Sequence, residues 1–325
     1  MGKRSRTKSI LAVLAGLVLV LGAAVWISMA FVMHHRSAGQ FLDVEDGIRI
    51  FYTDEGQGEP VILIHGLAAQ ADVNWRWTGV VGKLRKEFRV ITLDLRGHGL
   101  SSKPHDPAKY GVEMVKDVAR LMDHLKIPRA HVAGYSMGGF ITLKFLEMYP
   151  DRLISATSCA AGWEQPGAGG LDRLHAAVSA IEAGEGMTPV LKLLAPTNKR
   201  LSDWQFHQRA RIIERMSDMQ AIMCVVKSFA DLAVPEATLR SNMVPLSCIV
   251  GEFDPLRKGV EALKELAPSC ETIFIPGGDH FSTPRKSAFA DALLKCLQEH
   301  RTTPQPAKTP VAYFRGAPTS LSAPC

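Results

Sequence analysis

A serine between two glycines is the residue best suited to nucleophilic chemistry in this 325-residue chain. It lies in the sequence Gly134-Tyr135-Ser136-Met137-Gly138, after an apolar run that predicts a strand and before one that predicts a helix. A strand-to-helix turn this tight strains the backbone at the serine and lifts its hydroxyl out of the sheet surface. The pattern alone would arise by chance in roughly one chain in ten of this length. Its meaning therefore depends on partners elsewhere in the chain.

A serine hydroxyl needs a base to take its proton, and the base needs a carboxylate to orient it. Among the eleven histidines, His280 follows the last predicted strand, where a loop can carry it back over the strand ends. Asp254 follows the preceding predicted strand, and we choose it as the acid over Glu252, which lies nearer the strand end, and over Glu164. Serine, acid and histidine then occur in a chain order known for such triads.

The oxyanion formed by attack on a carbonyl needs preorganised backbone N–H donors. We expect one donor from Met137, at the start of the helix after the serine, and the other from Leu67, in the loop after the apolar run 61–64. The polar residues around these loops are interpreted as structural hydrogen-bonding groups: His65, Asp94, His98 and Ser101.

Short apolar runs alternate with helix-like stretches along residues 41–300, which predicts an α/β fold with a mostly parallel, eight-stranded sheet covered on both faces. Helices are expected over residues 80–86, 112–125 and 290–300. The eight predicted strands are residues 41–44, 48–53, 61–64, 88–93, 130–134, 154–159, 246–250 and 272–275.

Residues 162–242 interrupt this alternation, because they contain no convincing strand and read as helices. We interpret them as a helical cap inserted into the domain above the strand ends. Within the cap, apolar side chains recur at helical spacing and predict a stripe that packs as core. The stripe consists of Ile212, Ile213, Met216, Met219, Ile222 and Met223.

Residues 10–33 form an apolar run that is long enough, as a helix, to span a hydrocarbon core of about 30 Å. The basic segment 1–9 precedes this run, so we expect a cytoplasmic N-terminus and a periplasmic or extracellular catalytic domain. The run exceeds the usual signal-peptide core of about 7–15 residues, which favours a single-pass, uncleaved membrane anchor. The alternative is cleavage near residues 28–30 and secretion.

The net charge of +6 belongs to the two ends of the chain. Residues 1–9 hold four basic residues and residues 301–325 hold three, neither segment holds an acid, and the residues between them therefore sum to −1. Since nucleic-acid binding needs clustered basic charge on the folded part, we expect none. The proline-rich segment 301–325 predicts a disordered tail.

Six cysteines show neither a CxxC motif nor a Cys/His metal spacing, so we expect no metal, no cofactor and no disulfide framework. Cys159 and Cys248 are expected as small buried residues in or beside core strands. A bridge between Cys248 and Cys270 is the alternative in an oxidising compartment.

Five motifs, taken in chain order, resemble the α/β-hydrolase superfamily in its esterase- and lipase-like branch. The resemblance covers about residues 41–300 and implies a serine hydrolase that cleaves a carboxylic ester through a Ser136–His280–Asp254 triad and an acyl-enzyme. A lipid or another apolar acyl ester is the expected substrate, because a membrane anchor and an apolar cap accompany the triad. The motifs are His65-Gly66, residues 94–101, residues 134–139, Gly251-Glu252-Phe253-Asp254 and Asp279-His280.

Related branches of this superfamily differ at identifiable positions. Ser136 stands where haloalkane dehalogenases and epoxide hydrolases use an aspartate nucleophile. Serine C–C hydrolases are similar around Ser136, but their glycine- and proline-rich oxyanion loop is absent from residues 67–70. A C–C hydrolase and a cofactor-free perhydrolase or haloperoxidase-like enzyme stay open as alternatives, as does a non-catalytic ligand-binding protein. The oligomeric state does not follow from the sequence.

Overall fold

The computed structural model describes residues 37–164 and 169–302. The basic segment 1–9, the predicted anchor 10–33 and the tail beyond residue 302 therefore lie outside the described residues. Within the two described ranges, no helix has the length and apolar character needed to cross a bilayer.

Eight strands form one sheet in the order β1-β2-β4-β3-β5-β6-β7-β8. The β1–β2 and β2–β4 pairs are antiparallel, and every other neighbouring pair is parallel. The prediction of a mostly parallel, eight-stranded sheet is confirmed. The strands are β1 (Gln40–Asp43), β2 (Arg49–Glu55), β3 (Pro60–Ile64), β4 (Arg89–Leu93), β5 (Ala130–Tyr135), β6 (Leu153–Cys159), β7 (Leu246–Gly251) and β8 (Glu271–Ile275).

Helices cover both faces of this sheet, because its central strands carry apolar side chains on both sides. Alternate residues of β3 face opposite sides, so Ile62 and Ile64 join one apolar core while Val61 and Leu63 join the other. The helices outside the segment between β6 and β7 are α1 (Val80–Leu84), α2 (Val112–His124), α3 (Met137–Met148), α9 (Arg257–Leu266) and α10 (Ser287–Glu299). The last of these begins three residues before the predicted start.

The segment between β6 and β7 contains the five remaining α-helices of the described chain, and we call it the cap. It has its own apolar core, in which Phe206, Ile222 and Val226 are buried. The cap helices are α4 (Gly170–Ala180), α5 (Thr188–Leu193), α6 (Asp203–Met216), α7 (Met219–Lys227) and α8 (Glu236–Arg240).

The predicted apolar stripe of the cap is divided between two helices. Helix α6 ends at Met216, and the side chain of Asp218 accepts a hydrogen bond from the N–H of Ala221 at 3.0 Å and so begins helix α7. Ile222 is fully buried, but Ile212 and Met216 are 49% and 43% exposed. The prediction that the whole stripe packs as core is therefore wrong for Ile212 and Met216, which lie beyond the packed face of α6.

Two glycines allow helix α3 to begin directly against the sheet. A methyl group at Gly134 in β5 would overlap the carbonyl oxygen of Gly138, and one at Gly138 would overlap the carbonyl oxygen of Ile64 in β3. The first turn of α3 therefore rests on the backbone of two strands. This contact fixes the serine between β5 and α3 relative to the loop after β3.

Substitution of Gly134 by alanine should expose this constraint. Gly134→Ala should lower the free energy of unfolding by about 2–3 kcal/mol, because the added methyl group overlaps backbone atoms that cannot move independently. The control is Gly82→Ala in helix α1, where a methyl group meets no atom within 4 Å. That variant should be unchanged or up to about 1 kcal/mol more stable. Urea denaturation followed by circular dichroism measures both, and equal effects would contradict the close-contact explanation.

Candidate active site

Ser136 occupies a strained backbone position at the end of β5. Its φ angle is 54°, in a region that residues with a side chain rarely adopt. The strain costs on the order of 1–3 kcal/mol and persists only where the surroundings fix the backbone. Here the N–H of Ser136 donates to the carbonyl of Cys159 at 2.8 Å, and Gly66 leaves room for the serine Cβ. The hydroxyl is thereby held above the carboxyl ends of the strands.

The three residues predicted for a triad are brought together in the described structure. Ser136 Oγ lies 3.0 Å from His280 Nε2, and His280 Nδ1 lies 2.9 Å from Asp254 Oδ2. Asp254 and His280 are buried, whereas Ser136 is partly exposed. Both distances are within hydrogen-bonding range, so proton transfer from the hydroxyl to the imidazole needs no rearrangement.

The two acids that we ranked below Asp254 lie elsewhere. Glu252 Oε2 accepts a hydrogen bond from the N–H of Gly277 at 2.8 Å, at the base of the histidine loop. Glu164 forms an exposed ion pair of 3.1 Å with Arg173.

Leu67 lies between two residues whose N–H groups are already used. The N–H of Gly66 donates to Asn74 Oδ1 at 2.8 Å, and that of Ala68 donates to His98 Nε2 at 3.1 Å. Within the described chain, the N–H of Leu67 has no such acceptor. The N–H of the residue predicted for the oxyanion site is therefore left without an acceptor.

Met137, the other residue predicted for the oxyanion site, also has an unsatisfied N–H. It is the first residue of helix α3, and an N–H in the first turn of a helix has no intrahelical partner. No acceptor for it occurs elsewhere in the described ranges. The positive end of the helix dipole adds to its capacity to stabilise an anion next to Ser136.

His65 and His98 serve as neutral supports of the loop that carries Leu67. His65 Nδ1 donates to the carbonyl of Gly66 at 2.8 Å, and its Nε2 accepts from the N–H of Leu95 at 3.0 Å. His98 Nδ1 donates to the carbonyl of Arg96 at 3.1 Å. Burial lowers the pKa of His65 to about 4, and burial together with the adjacent His65 lowers the pKa of His98 to about 3. Both imidazoles therefore accept backbone N–H groups as neutral rings.

Three contacts that hold the histidine and acid loops were absent from the sequence-based prediction. The Tyr135 hydroxyl donates to the carbonyl of His280 at 2.7 Å. In the cap, Lys199 Nζ lies 3.0 Å from Asp279 Oδ2, and the N–H of Thr197 donates to the carbonyl of Phe253 at 3.1 Å. No periodicity or motif marks the two cap residues, because their partners are more than 50 positions away.

Asp279 also organises the histidine loop itself. Its Oδ1 accepts from the N–H groups of Phe281 at 3.1 Å and Ser282 at 2.8 Å. Burial acts to raise the pKa of Asp279, but Lys199 and the hydrogen bonds to Ser282 and Phe281 outweigh it and lower that pKa to about 2. Asp279 is thus a permanent anion that fixes the turn beside His280.

A cavity of about 320 Å³ opens above Ser136 and His280. The sheet side contributes the loops that carry Leu67 and Ser136, together with Asn74. The cap contributes a mostly apolar wall, formed by Met187, Val190, Leu191, Leu194, Ile212, Ile213 and Met216 together with the polar residues Ser217 and Asp218. Such a wall favours an apolar substrate group over a charged one.

The cysteines and metal-ligating side chains add no second centre in the described ranges. The Sγ atoms of Cys248 and Cys270 are 3.6 Å apart, as free buried thiols. Over residues 37–164 and 169–302, no three His, Cys, Asp or Glu side chains converge as metal ligands do.

Comparison with known proteins places this site in a family. The profile described as "alpha/beta hydrolase fold" matches residues 59–283, which is more than half of the chain and includes Ser136, Asp254 and His280. The chain belongs to the α/β-hydrolase family. This confirms the resemblance to the α/β-hydrolase superfamily that the five motifs indicated, and the esterase- and lipase-like branch stays a prediction.

Individual relatives match only part of the chain. The dihydrolipoyllysine-residue acetyltransferase component of the acetoin cleaving system of Cupriavidus necator is 41% identical over 120 residues, covering 37% of this chain and 31% of that protein. The 2-hydroxy-6-oxo-2,4-heptadienoate hydrolase of Pseudomonas putida is 35% identical over 108 residues, covering 33% and 39%. The chain thus matches well under half the length of each of these curated relatives.

A solved structure extends the similarity to the whole fold. In a study of carboxylesterases of the ammonia-oxidizing Thaumarchaeon Nitrososphaera gargenis, one crystal structure superposes with a TM-score of 0.66 at 19% identity. The superposition covers 80% of this chain and 98% of that one. At this identity the likeness supports the fold alone.

Buried neutral histidines make the stability of the loop depend on pH. Below about pH 6.5 the His98 imidazole binds a proton in the unfolded chain but stays neutral in the folded one, because burial lowers its pKa there. The folded state therefore loses stability as the pH falls from about 6.5 toward 3. His98→Gln should be less stable near neutral pH, but it should lose about 2 kcal/mol less between about pH 7 and pH 5 than the unsubstituted chain. Urea denaturation at both pH values measures this difference.

His175→Gln is the control, because His175 is exposed on the cap helix α4. It should lose as much stability on acidification as the unsubstituted chain. If His98→Gln shows the same loss, His98 is not the group that links stability to pH.

Proposed function

We propose that this protein is a serine hydrolase that cleaves a carboxylic ester with an apolar acyl group. The observation that carries the proposal is the continuous hydrogen-bonded arrangement of Ser136, His280 and Asp254 beneath an apolar cavity. A protein that only bound a ligand would have no need of a strained serine aligned with a base and an acid. The unsatisfied N–H groups of Leu67 and Met137 beside that serine add the donors that acyl transfer requires.

In the proposed mechanism, Ser136 Oγ attacks the ester carbonyl while His280 Nε2 takes the hydroxyl proton. Asp254 keeps the proton of His280 on Nδ1 and stabilises the imidazolium that forms. The N–H groups of Leu67 and Met137 stabilise the negative charge on the former carbonyl oxygen. His280 then protonates the leaving alcohol, and a water molecule, deprotonated by the same imidazole, hydrolyses the acyl-enzyme.

A second candidate function is hydrolysis of a carbon–carbon bond. It is favoured by the 35% identity over 108 residues to the 2-hydroxy-6-oxo-2,4-heptadienoate hydrolase of Pseudomonas putida. A vinylogous 1,5-diketone assayed beside an ester at equal enzyme concentration separates the two. Faster turnover of the diketone would favour this candidate over the ester hydrolase.

Loss of the nucleophile or of the acid should have distinct effects on ester hydrolysis. Ser136→Ala should abolish labelling by a fluorophosphonate probe and lower kcat on a p-nitrophenyl ester by about 10³-fold or more. Asp254→Asn should lower kcat by a factor on the order of 10³–10⁴, because the imidazole would adopt the wrong tautomer. Glu252→Gln is the matched control and should retain activity. Labelling that survives Ser136→Ala, or equal losses at Asp254 and Glu252, would contradict these assignments.

The apolar wall of the cap should set a preference for longer acyl chains. Along a p-nitrophenyl ester series from acetate to octanoate, kcat/KM should rise by up to about fourfold per methylene, the equivalent of about 0.8 kcal/mol of buried CH₂. Leu194→Ser, which places a hydroxyl in this wall, should flatten the series. If acetate is the best substrate of the unsubstituted enzyme, the apolar acyl assignment fails while ester hydrolysis itself stands.

A further inference from the structure

Helix α6 of the cap has two chemically different faces. Phe206 and Ala210 are buried against the cap core. The opposite side carries the residues that we call the outer face: Trp204, Gln208, Arg211, Ile212, Arg215 and Met216. Helical periodicity places these six on one continuous surface, and the Trp204 side chain is 70% exposed. A large aromatic side chain this exposed has no partner in the described chain.

The outer face leads directly into the cavity above Ser136. Ile212 and Met216 line that cavity and are also 49% and 43% exposed, so they form part of its mouth. The outer face and the substrate cavity therefore share two apolar side chains. Whatever contacts this face lies next to the entrance of the serine site.

Positive charge is concentrated on and around the same helix. Residues 200–216 contain four basic and two acidic residues, although the chain between its basic ends is close to neutral. Both acids are already engaged, since Asp203 pairs with Lys192 at 2.8 Å and Glu214 accepts from the N–H of Met187 at 2.8 Å. Arg211 and Arg215 are exposed and form no ion pair with any described residue.

We propose that the outer face of α6 docks on an anionic lipid bilayer and presents the cavity mouth to it. An exposed tryptophan suits the boundary between headgroups and acyl chains, and arginines beside it are attracted to anionic headgroups. Ile212 and Met216 would meet the acyl region at the point where the cavity opens. A lipid-embedded ester could then enter the cavity without crossing water.

Other occupants fit the outer face less well. A second copy of the chain, related by a two-fold axis, would bring Arg211 and Arg215 against like charges. An acidic protein would match the charge, but it gives no role to the apolar path from the outer face to the serine. A bilayer matches the charge, the tryptophan and the apolar mouth together.

The test measures whether Trp204 enters the lipid. The full chain is reconstituted with vesicles of brominated phosphatidylcholine, alone or with about 30% phosphatidylglycerol, and its tryptophan fluorescence is recorded. Brominated chains quench a tryptophan that reaches them, and anionic lipid should increase the interfacial attraction of basic side chains. We expect additional quenching in the anionic vesicles that disappears in Trp204→Phe. Any segment outside the described residues is identical in the two proteins and cancels in the comparison.

Two matched controls separate docking from general attraction. Met243, before β7 and 93% exposed, is replaced by tryptophan in the Trp204→Phe background, and this displaced tryptophan should not be quenched. Arg211→Glu should lower the affinity of the protein for anionic vesicles, measured from the quenching of Trp204, by a factor on the order of ten. Lys86→Glu, the same charge change beyond helix α1, should not lower that affinity. Equal effects of the two reversals, or quenching unchanged by Trp204→Phe, would overturn the proposal.

The quenching does not depend on catalysis, so it stands or falls separately from the proposed function. The fluorophosphonate labelling of Ser136 should be the same in Arg211→Glu as in the unsubstituted protein. Quenching without fluorophosphonate labelling would support the docking surface and contradict the proposed serine hydrolase. Labelling without quenching would support the hydrolase and contradict the docking surface.

Discussion

The backbone contact between the first turn of α3 and strands β3 and β5 is the constraint on which the rest of the site depends. Because Gly134 and Gly138 carry no side chains, the helix begins against the carbonyl of Ile64 rather than a side-chain width away. This approach places Ser136, the N–H of Met137 and the loop after β3 in one small volume. Every other part of the site is arranged around a serine whose position is set by main-chain atoms.

Much of this arrangement could be predicted from the sequence, because its signals are local. Apolar runs of four to six residues mark the strands, and glycines around Ser136 mark the turn. Asp254 and His280 follow from their places after the last two strands, since parallel strands bring their carboxyl ends to one edge of the sheet. The prediction did not require any knowledge of side-chain packing.

The helix boundaries and long-range contacts of the cap could not be predicted from the sequence, for a physical reason. Helical spacing from Ile212 to Met223 shows which side chains share a face, but not where the helix stops. The break at Ser217 and Asp218 depends on a side-chain cap, and it frees Ile212 and Met216 to form the cavity mouth. Likewise, the pairing of Lys199 with Asp279 depends on the folded path of both loops. Such contacts leave no periodic trace in the chain.

The contacts of Thr197 and Lys199 have a consequence for how this fold can change. The cap is an insertion, and an insertion can in principle be exchanged without disturbing the sheet beneath it. Here, however, one short cap segment is attached to the residues next to both Asp254 and His280. A cap with a different sequence would therefore have to keep the contacts that residues 197–199 make with these two loops. In the proposed mechanism, substrate choice and proton transfer would therefore be coupled through a loop that does not itself line the cavity.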